Sequence, residues 1–377
     1  MSVVSTSERA PARAGRLSCF CPAGAAVAGE TRGLVTLAGG FAASVLSQTL
    51  VLGLLPLAGL LLAPKSSMAV LPLVAMLLGA ALATFPASFL LDTFGRRASF
   101  ALGASHGLAG GCLMAWSLST HNFYPFLLGA FWMGVAQGFS LFYRHEAAVG
   151  SSRGERLMAI SFVFGAGSLA GLVGPGLAEV AERLAPGFYV GTALLAAAAQ
   201  FATLAFAAAT SRRLPVALPT LSSRAPNWYA MLAPTLVAAL AWFSMNLVML
   251  AAPFSMINCG VAASGVMGAV AWHVVAMYAP SFALAPLAGR VNAKWITAFG
   301  LVIILAALMI FMGASTGERF AASLILLAIG WSFATTAATA WLHEEASPSR
   351  AMLAVHDGAL FLAAILGALA AYPFAPV

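Results

Sequence analysis

Ser88-Phe-Leu-Leu-Asp92-Thr-Phe-Gly95-Arg96-Arg97-Ala-Ser-Phe100 is a short polar turn set between two long apolar runs, 67–91 and 98–118. So abrupt a reversal favours Gly95, whose missing Cβ leaves the backbone free to turn. Runs of roughly 20 apolar residues match a hydrocarbon core about 30 Å thick. Outward from this turn the pattern repeats, with spans predicted at 34–62, 67–91, 98–118, 123–146, 157–181, 187–209, 228–257, 265–288, 294–313, 320–342 and 351–373, eleven in all.

Composition agrees with that reading. Of 377 residues, 62% are hydrophobic and 8% charged, with a mean hydropathy of +0.95. Soluble domains are about one quarter charged, so a soluble enzyme, a nucleic-acid module and a secreted disulfide scaffold are excluded. The runs are continuous rather than alternating in segments of about 10 residues, which excludes a transmembrane barrel and leaves an all-α polytopic membrane protein. The four cysteines, Cys19, Cys21, Cys112 and Cys259, offer no disulfide framework.

The charge of +7 is a matter of topology rather than nucleic-acid affinity. With a cytoplasmic N-terminus, the inner segments hold Arg9, Arg13, Arg16, Arg32, Arg96, Arg97, Arg153, Arg156, Arg212, Arg213, Arg224, Arg290, Lys294 and Arg350. The outer loops hold only Lys65, Arg183 and Arg319. This bias predicts a multi-pass protein of a bacterial inner membrane with its N-terminus in the cytoplasm. Residues 1–33 lack the apolar core of a signal peptide and read as a flexible tail. A basic, proline-containing linker at 210–227 divides the chain into a six-span half, 34–209, and a five-span half, 228–377. Two bundles joined in this way suit a secondary transporter with its site between them at mid-membrane.

The turn at Ser88 to Arg97 resembles the signature loop of the major facilitator superfamily, Gly-x-Leu-x-Asp-x-x-Gly-Arg-Lys/Arg. Leu90, Asp92, Gly95, Arg96 and Arg97 match, and Ser88 replaces a glycine with another small residue. In this reading Asp92 pairs with a cation on a neighbouring helix and gates the cytoplasmic side. A weaker echo, Leu287-Ala-Gly289-Arg290-Val-Asn-Ala-Lys294, occupies the corresponding place in the second half. Span 5 carries Gly167-x-x-x-Gly171-x-x-Gly174-Pro175-Gly176, similar to a glycine and proline motif of that superfamily found often in antiporters. Such spacing permits close helix packing and a bend. The resemblance implies twelve spans and a protein that usually works as a monomer within the bilayer, needing no cofactor. Eleven are predicted here, one fewer.

Two pairs of soft ligands stand out. Met245-Asn-Leu-Val-Met249 lies in span 7 and His273-Val-Val-Ala-Met277 in span 8, each pair on one helix face. If the two spans form an antiparallel hairpin around Val261, Met249 levels with His273 and Met245 with Met277, roughly 18 to 24 Å from the tip. Thioethers and imidazole without negative charge suit Cu(I) held reversibly. These stretches resemble the CcoA-type copper importers, a bacterial branch of the superfamily that supplies copper for cytochrome oxidase assembly. The resemblance implies copper as the transported substrate, Met245, Met249, His273 and Met277 as its ligands, and Cys259 as a receiver at the outer end of span 7. Cys19 and Cys21 in the tail have the spacing to hand the metal to a cytoplasmic copper chaperone.

The same branch contains relatives that carry riboflavin, and this alternative stays open. A flavin requires stacking partners and a few amide donors, which Trp242, Asn246, Trp272, Tyr278 and Gln137 can supply. It would recast the methionines as soft packing. A copper sensor and a multidrug exporter are further readings, the first opposed by the gating turn and the second supported only by the glycines of span 5.

Asp357, beside His356 in span 11, and Arg144, His145 and Glu146 in span 4 are candidates for proton coupling. The plainer expectation for Arg144 and Glu146 is that they pair with each other at the headgroup level. His343, Glu344 and Glu345 are expected to form a solvated end of span 10. His106 and His121 join no constellation.

Overall fold

The computed structural model describes residues 26–371, apart from 66–67, 150, 153, 186, 211–226 and 347; side chains are described from residue 33 onward, except 263–264. Among the described residues every regular element is helical. Eleven long helical segments follow one another: α1 Ala26–Leu62, α2 Leu71–Thr93, α3 Gly95–Ser119, α4 Phe123–Val149, α5 Arg156–Leu184, α6 Val190–Ala209, α7 Trp228–Asn258, α8 Gly265–Leu287, α9 Ala293–Met312, α10 Gly317–Glu345 and α11 Arg350–Ala370. Ten are by themselves long and apolar enough to cross a membrane. The exception, α3, trades apolar side chains for glycines that press on its neighbours: Gly103 faces Phe139, Gly107 faces Gln200, and Gly110 faces the backbone of Gly129. Small residues let helices approach where lipid supplies no hydrophobic drive.

Helix ends are set by local chemistry. Proline stands in the first turn of α2, where its missing N–H costs nothing, so that helix begins at Leu71 rather than 67. Asn227, Asn292 and Ser349 cap α7, α9 and α11 by accepting from Ala230, Lys294 and Met352 backbone N–H groups. The α2–α3 reversal is a single residue, Phe94, followed by Gly95 at φ 77°. Gly289, in the echo after α8, adopts φ 72°, so both halves turn on a left-handed glycine at the same place. The expected tail of 1–33 is corrected at its end, since α1 starts at Ala26; Ala26-Val-Ala-Gly-Glu-Thr-Arg is mostly helix-compatible sequence. Cys19, Cys21 and most of the linker lie outside the described residues.

Helices α1–α6 pack as one group, and α7 and α9–α11 as another, with α8 held on α10. The groups meet where α2 packs on α11 and where α5 packs on α8. Helices α7 and α8, joined by the tight turn at Cys259–Ala262, touch each other little; each packs instead on α10. The two helices of this hairpin therefore pack little on each other, because hairpin sequence does not oblige neighbours in a bundle to touch.

Three helices are interrupted. In α4 the break is at Leu141, in α5 at Ala166 and Gly167, and α8 continues from Ala279 as a 3-10 helix. The end of the molecule carrying Arg96, Arg156, Arg290 and Arg350 is the basic end, and the opposite end the far end.

Candidate transport site

The first layer of the interface lies at the basic end. Arg350, in the first turn of α11, reaches Asp92 on α2 with Nε to Oδ1 at 3.7 Å and also pairs with Glu146 on α4. Arg96 Nε lies 3.6 Å from the same Glu146 carboxylate. One arginine of the second bundle thus ties two acids of the first.

A second layer, buried except for Arg156, lies beneath it. Arg144 Nη2 of α4 donates to Asp357 Oδ1 of α11 at 2.5 Å, and His145 Nε2 lies 3.3 and 3.2 Å from the two carboxylate oxygens. His145 Nδ1 meets His343 Nε2 of α10 at 3.0 Å. Arg156 of α5 donates to the His343 carbonyl at 2.6 Å, and His356 Nδ1 bonds Thr235 of α7 at 2.8 Å. Two expectations are corrected here. Arg144 and Glu146 do not pair with each other, since residues two apart on a helix point about 200° apart; each takes a partner in the opposite bundle. His343 is not a solvated helix end but is buried against His145.

Above the ionic layers is a cluster of rings drawn from both bundles. Phe41 of α1 and Phe164 of α5 stack at 5.3 Å between centroids. Phe164 meets Tyr278 of α8 at 5.2 Å and Trp331 of α10 at 5.6 Å. Trp242 of α7 meets Trp331 at 5.6 Å and Phe361 of α11 at 5.3 Å. The indole Nε1–H groups of Trp242 and Trp331 are buried without a hydrogen-bond partner among the described residues, as is Oε1 of Gln137. Gln137 precedes Arg144 on α4, on the other side of the break at Leu141. Such orphaned groups are costly unless something binds them.

Toward the far end the described contacts between α5 and α8 thin out. Gly171 of α5 is close against Val275 of α8, yet two turns further out Gly268 faces open space and Met267 is 55% exposed. Among the described residues, no ion pair joins the bundles at that end. Gly174 meets only Leu46, in ordinary contact, and Pro175 lies within α5 beside it.

Met245 is buried in α7, while Met249 and Met277 are half-buried against the same core. His273 is fully buried with Nδ1 on the Leu324 carbonyl of α10 at 2.8 Å, and its Nε2 has no partner among the described residues. Exposed Cys259 directs its Sγ to the Ser315 carbonyl, 3.7 Å away. Asn246 bonds back to the Trp242 carbonyl. Trp272 is 62% exposed and makes no described ring contact. It is rotated about 120° around α8 from Tyr278, which removes it from the ring cluster. Sequence reasoning missed Phe41, Phe164, Trp331, Phe361 and the pairing of His145 with His343. The available signal was position: tryptophan prefers the membrane interface, and Trp331 sits at the middle of α10.

No family model matches the chain. Over 326 residues it is 31% identical to the riboflavin transporter RfnT of Brucella anthropi, covering 84% of this chain and 81% of that protein. Among solved structures it resembles the proton:xylose symporter XylE of the major facilitator superfamily, with a TM-score of 0.71 at 14% identity over 90% of this chain and 88% of that one. The human organic anion transporter MFSD10 gives a TM-score of 0.67 at 16% identity, covering 91% and 92% of the two chains. Two bundles meeting at a buried interface, ten helices apolar enough to span a membrane and these likenesses agree: the chain is a multi-pass transporter, not an enzyme, has the fold of the major facilitator transporters, and belongs to the family of RfnT.

Proposed function

We propose that this transporter carries riboflavin, or a flavin of similar shape, by alternating access across a bacterial inner membrane, with the basic end in the cytoplasm. The observation that carries the reading is the ring cluster of Phe41, Phe164, Trp242, Tyr278, Trp331 and Phe361 with two unpartnered indole N–H groups in its wall. An isoalloxazine is a wide planar ring with carbonyl acceptors on one edge and one imide N–H. Aromatic faces stack on it, indole N–H groups donate to its carbonyls, and the Gln137 amide oxygen accepts from its N–H. The likeness to a riboflavin transporter over most of both chains supports the same cargo. Asp92, Gly95, Arg96 and Arg97 serve as the gate at the basic end, Gly171, Gly174 and Pro175 as the close-packed, bending part of α5, and the monomer as the working unit.

A second reading, copper import, keeps Met245, Met249, His273 and Met277 as ligands and is favoured by the buried, unpartnered Nε2 of His273. Against it, α7 and α8 are packed on α10 rather than on each other. The test is uptake in cells lacking their own importers. Labelled riboflavin entry abolished by Trp331→Ala and preserved by Met245→Leu with His273→Gln is the expected result. Copper entry lost in the Met245 and His273 variant, with no riboflavin entry in the unaltered protein, overturns it.

A further inference from the structure

We infer that the polyol chain of the cargo has a seat of its own, formed by the buried hydroxyls of Ser161 on α5 and Thr335 on α10, and that the flavin lies with this chain toward the basic end; the inference rests on the flavin reading. Riboflavin is a planar ring system carrying, on one long edge, a five-carbon chain with four hydroxyls. The ring cluster suits the planar part alone.

A serine or threonine hydroxyl inside a membrane helix ordinarily donates to the carbonyl one turn earlier, because lipid offers it no other acceptor. Thr203, Thr297 and Thr339 do so, bonding the carbonyls of Ala199, Ala293 and Thr335 at 3.1, 2.8 and 2.8 Å. Ser161 and Thr335 depart from that rule. Both residues are buried, and neither hydroxyl has a partner among the described residues. No other fully buried serine or threonine hydroxyl among the described residues lacks one. Groups left in this condition are costly unless a ligand pairs with them.

Their placement ties them to the ring cluster. Ser161 precedes Phe164 by three residues and Thr335 follows Trp331 by four, so each hydroxyl shares a helix face with a ring. Those two rings are 5.6 Å apart between centroids. Helix α5 runs away from the basic end and α10 toward it, so both hydroxyls stand on the basic side of their rings, about 4.5 and 6 Å along the helices. The Arg156–Gly165 part of α5 packs on α10 and on the 3-10 segment of α8. That segment contributes a further hydroxyl, since Ser281, three residues beyond Tyr278, bonds Ser332 at 2.9 Å and Thr336 at 3.0 Å. The knot joins α8 to α10 and holds α10 in the rotation that sets Thr335 beneath Trp331. Because Phe164 and Trp331 stand in contact above the seat, a flavin that parts these rings uncovers both hydroxyls to the chain on its edge.

An alcohol donates and accepts at once, so a side-chain hydroxyl pairs with a chain hydroxyl in either sense. A site built on such groups discriminates against a ligand that lacks the matching hydroxyls, because its own then stay unpaired. Lumiflavin, the same ring system with a methyl group in place of the chain, is such a ligand.

The test is titration of the purified full chain in detergent with riboflavin and with lumiflavin, each read by quenching of its own fluorescence. The unaltered protein is expected to bind riboflavin roughly tenfold more tightly or better. Ser161→Ala and Thr335→Val should each weaken riboflavin about fivefold, the loss of one hydrogen bond, and leave lumiflavin within about twofold. Thr335→Ser, which keeps the hydroxyl, should keep the preference. Thr339→Val deletes a hydroxyl already bonded within its own helix and should change neither affinity. Lumiflavin bound as tightly as riboflavin by the unaltered protein overturns the seat and leaves the flavin reading standing, and this comparison requires no variant to fold. Ser161→Ala and Thr335→Val weakening both flavins alike also overturns it. Binding of neither flavin overturns the flavin reading and the seat with it.

Discussion

Arg144 on α4 and Asp357 on α11 lie 213 positions apart in sequence and 2.5 Å apart in space, with both side chains withdrawn from solvent. Removing one partner leaves an uncompensated buried charge, so Asp357→Leu should destabilise the protein by about 3–5 kcal/mol. Arg144→Met combined with Asp357→Leu should recover most of that loss, because an apolar pair of similar volume fills the same space. Thermal unfolding in detergent of the two single variants and the double variant measures the coupling. A loss in the double variant equal to the sum of the two single losses would deny that the pair interacts.

Trp331→Phe and Trp242→Phe each keep a ring and delete one donor. If each indole N–H meets a carbonyl of the cargo, each change should weaken riboflavin binding roughly tenfold, about 1.4 kcal/mol. Quenching of riboflavin fluorescence during titration reports it. Trp272→Phe, on the other side of α8, should leave the affinity within about twofold, as surface changes do.

Glu146 holds Arg350 and Arg96 together at the basic end. Glu146→Gln removes its charge and should tilt the population toward a state open at that end. An energy of about 1.4 kcal/mol moves such an equilibrium tenfold. Spin labels on α2 and α11 near Asp92 and Arg350 should show a longer separation in the variant. An unchanged distance distribution would remove Glu146 from the gate.

Gly171 allows α5 and α8 to touch, since a Cβ there would stand 2.8 Å from the Val275 backbone nitrogen. Gly171→Leu should wedge the bundles apart and reduce uptake at least a hundredfold while the protein remains folded. Size-exclusion behaviour and helical circular dichroism check the folding, and labelled uptake the function. Undiminished uptake would show that this contact is not made during transport.

Much of the architecture was legible before any coordinate, because bilayer thickness sets the length of a span and a helix must satisfy its own backbone. Eleven spans could be counted, including α3, which apolarity alone passes over. Lateral neighbours were less legible. Val261 marks the turn between α7 and α8, and equal residue counts from it give equal depth, yet depth says nothing of which helices touch. The methionines and His273 were grouped by depth alone. The rings of Phe41, Phe164, Trp331 and Phe361 come from four helices, at positions with no shared spacing, and only packing assembles them. Asp357 and Arg144 were recognisable one by one as buried charges in a span; that they bond each other was not.

The interruptions in α4, α5 and α8 lie at Leu141, at Ala166 and Gly167, and at Ala279, all at nearly the same depth. Counted from the basic end at 1.5 Å per α-helical and 2.0 Å per 3-10 residue, they stand roughly 12 to 16 Å in. That depth separates the charged layers from the ring cluster. Each of these helices is therefore jointed like a finger at its knuckle: the tip of α4 carries Arg144, His145 and Glu146, the tip of α5 carries Arg156 and Phe164, and the shaft of α8 ends on Tyr278. A tip can move without its shaft, so the ionic contacts of α4 can part while Phe41, Trp242, Trp331 and Phe361, which stand on other helices, stay packed.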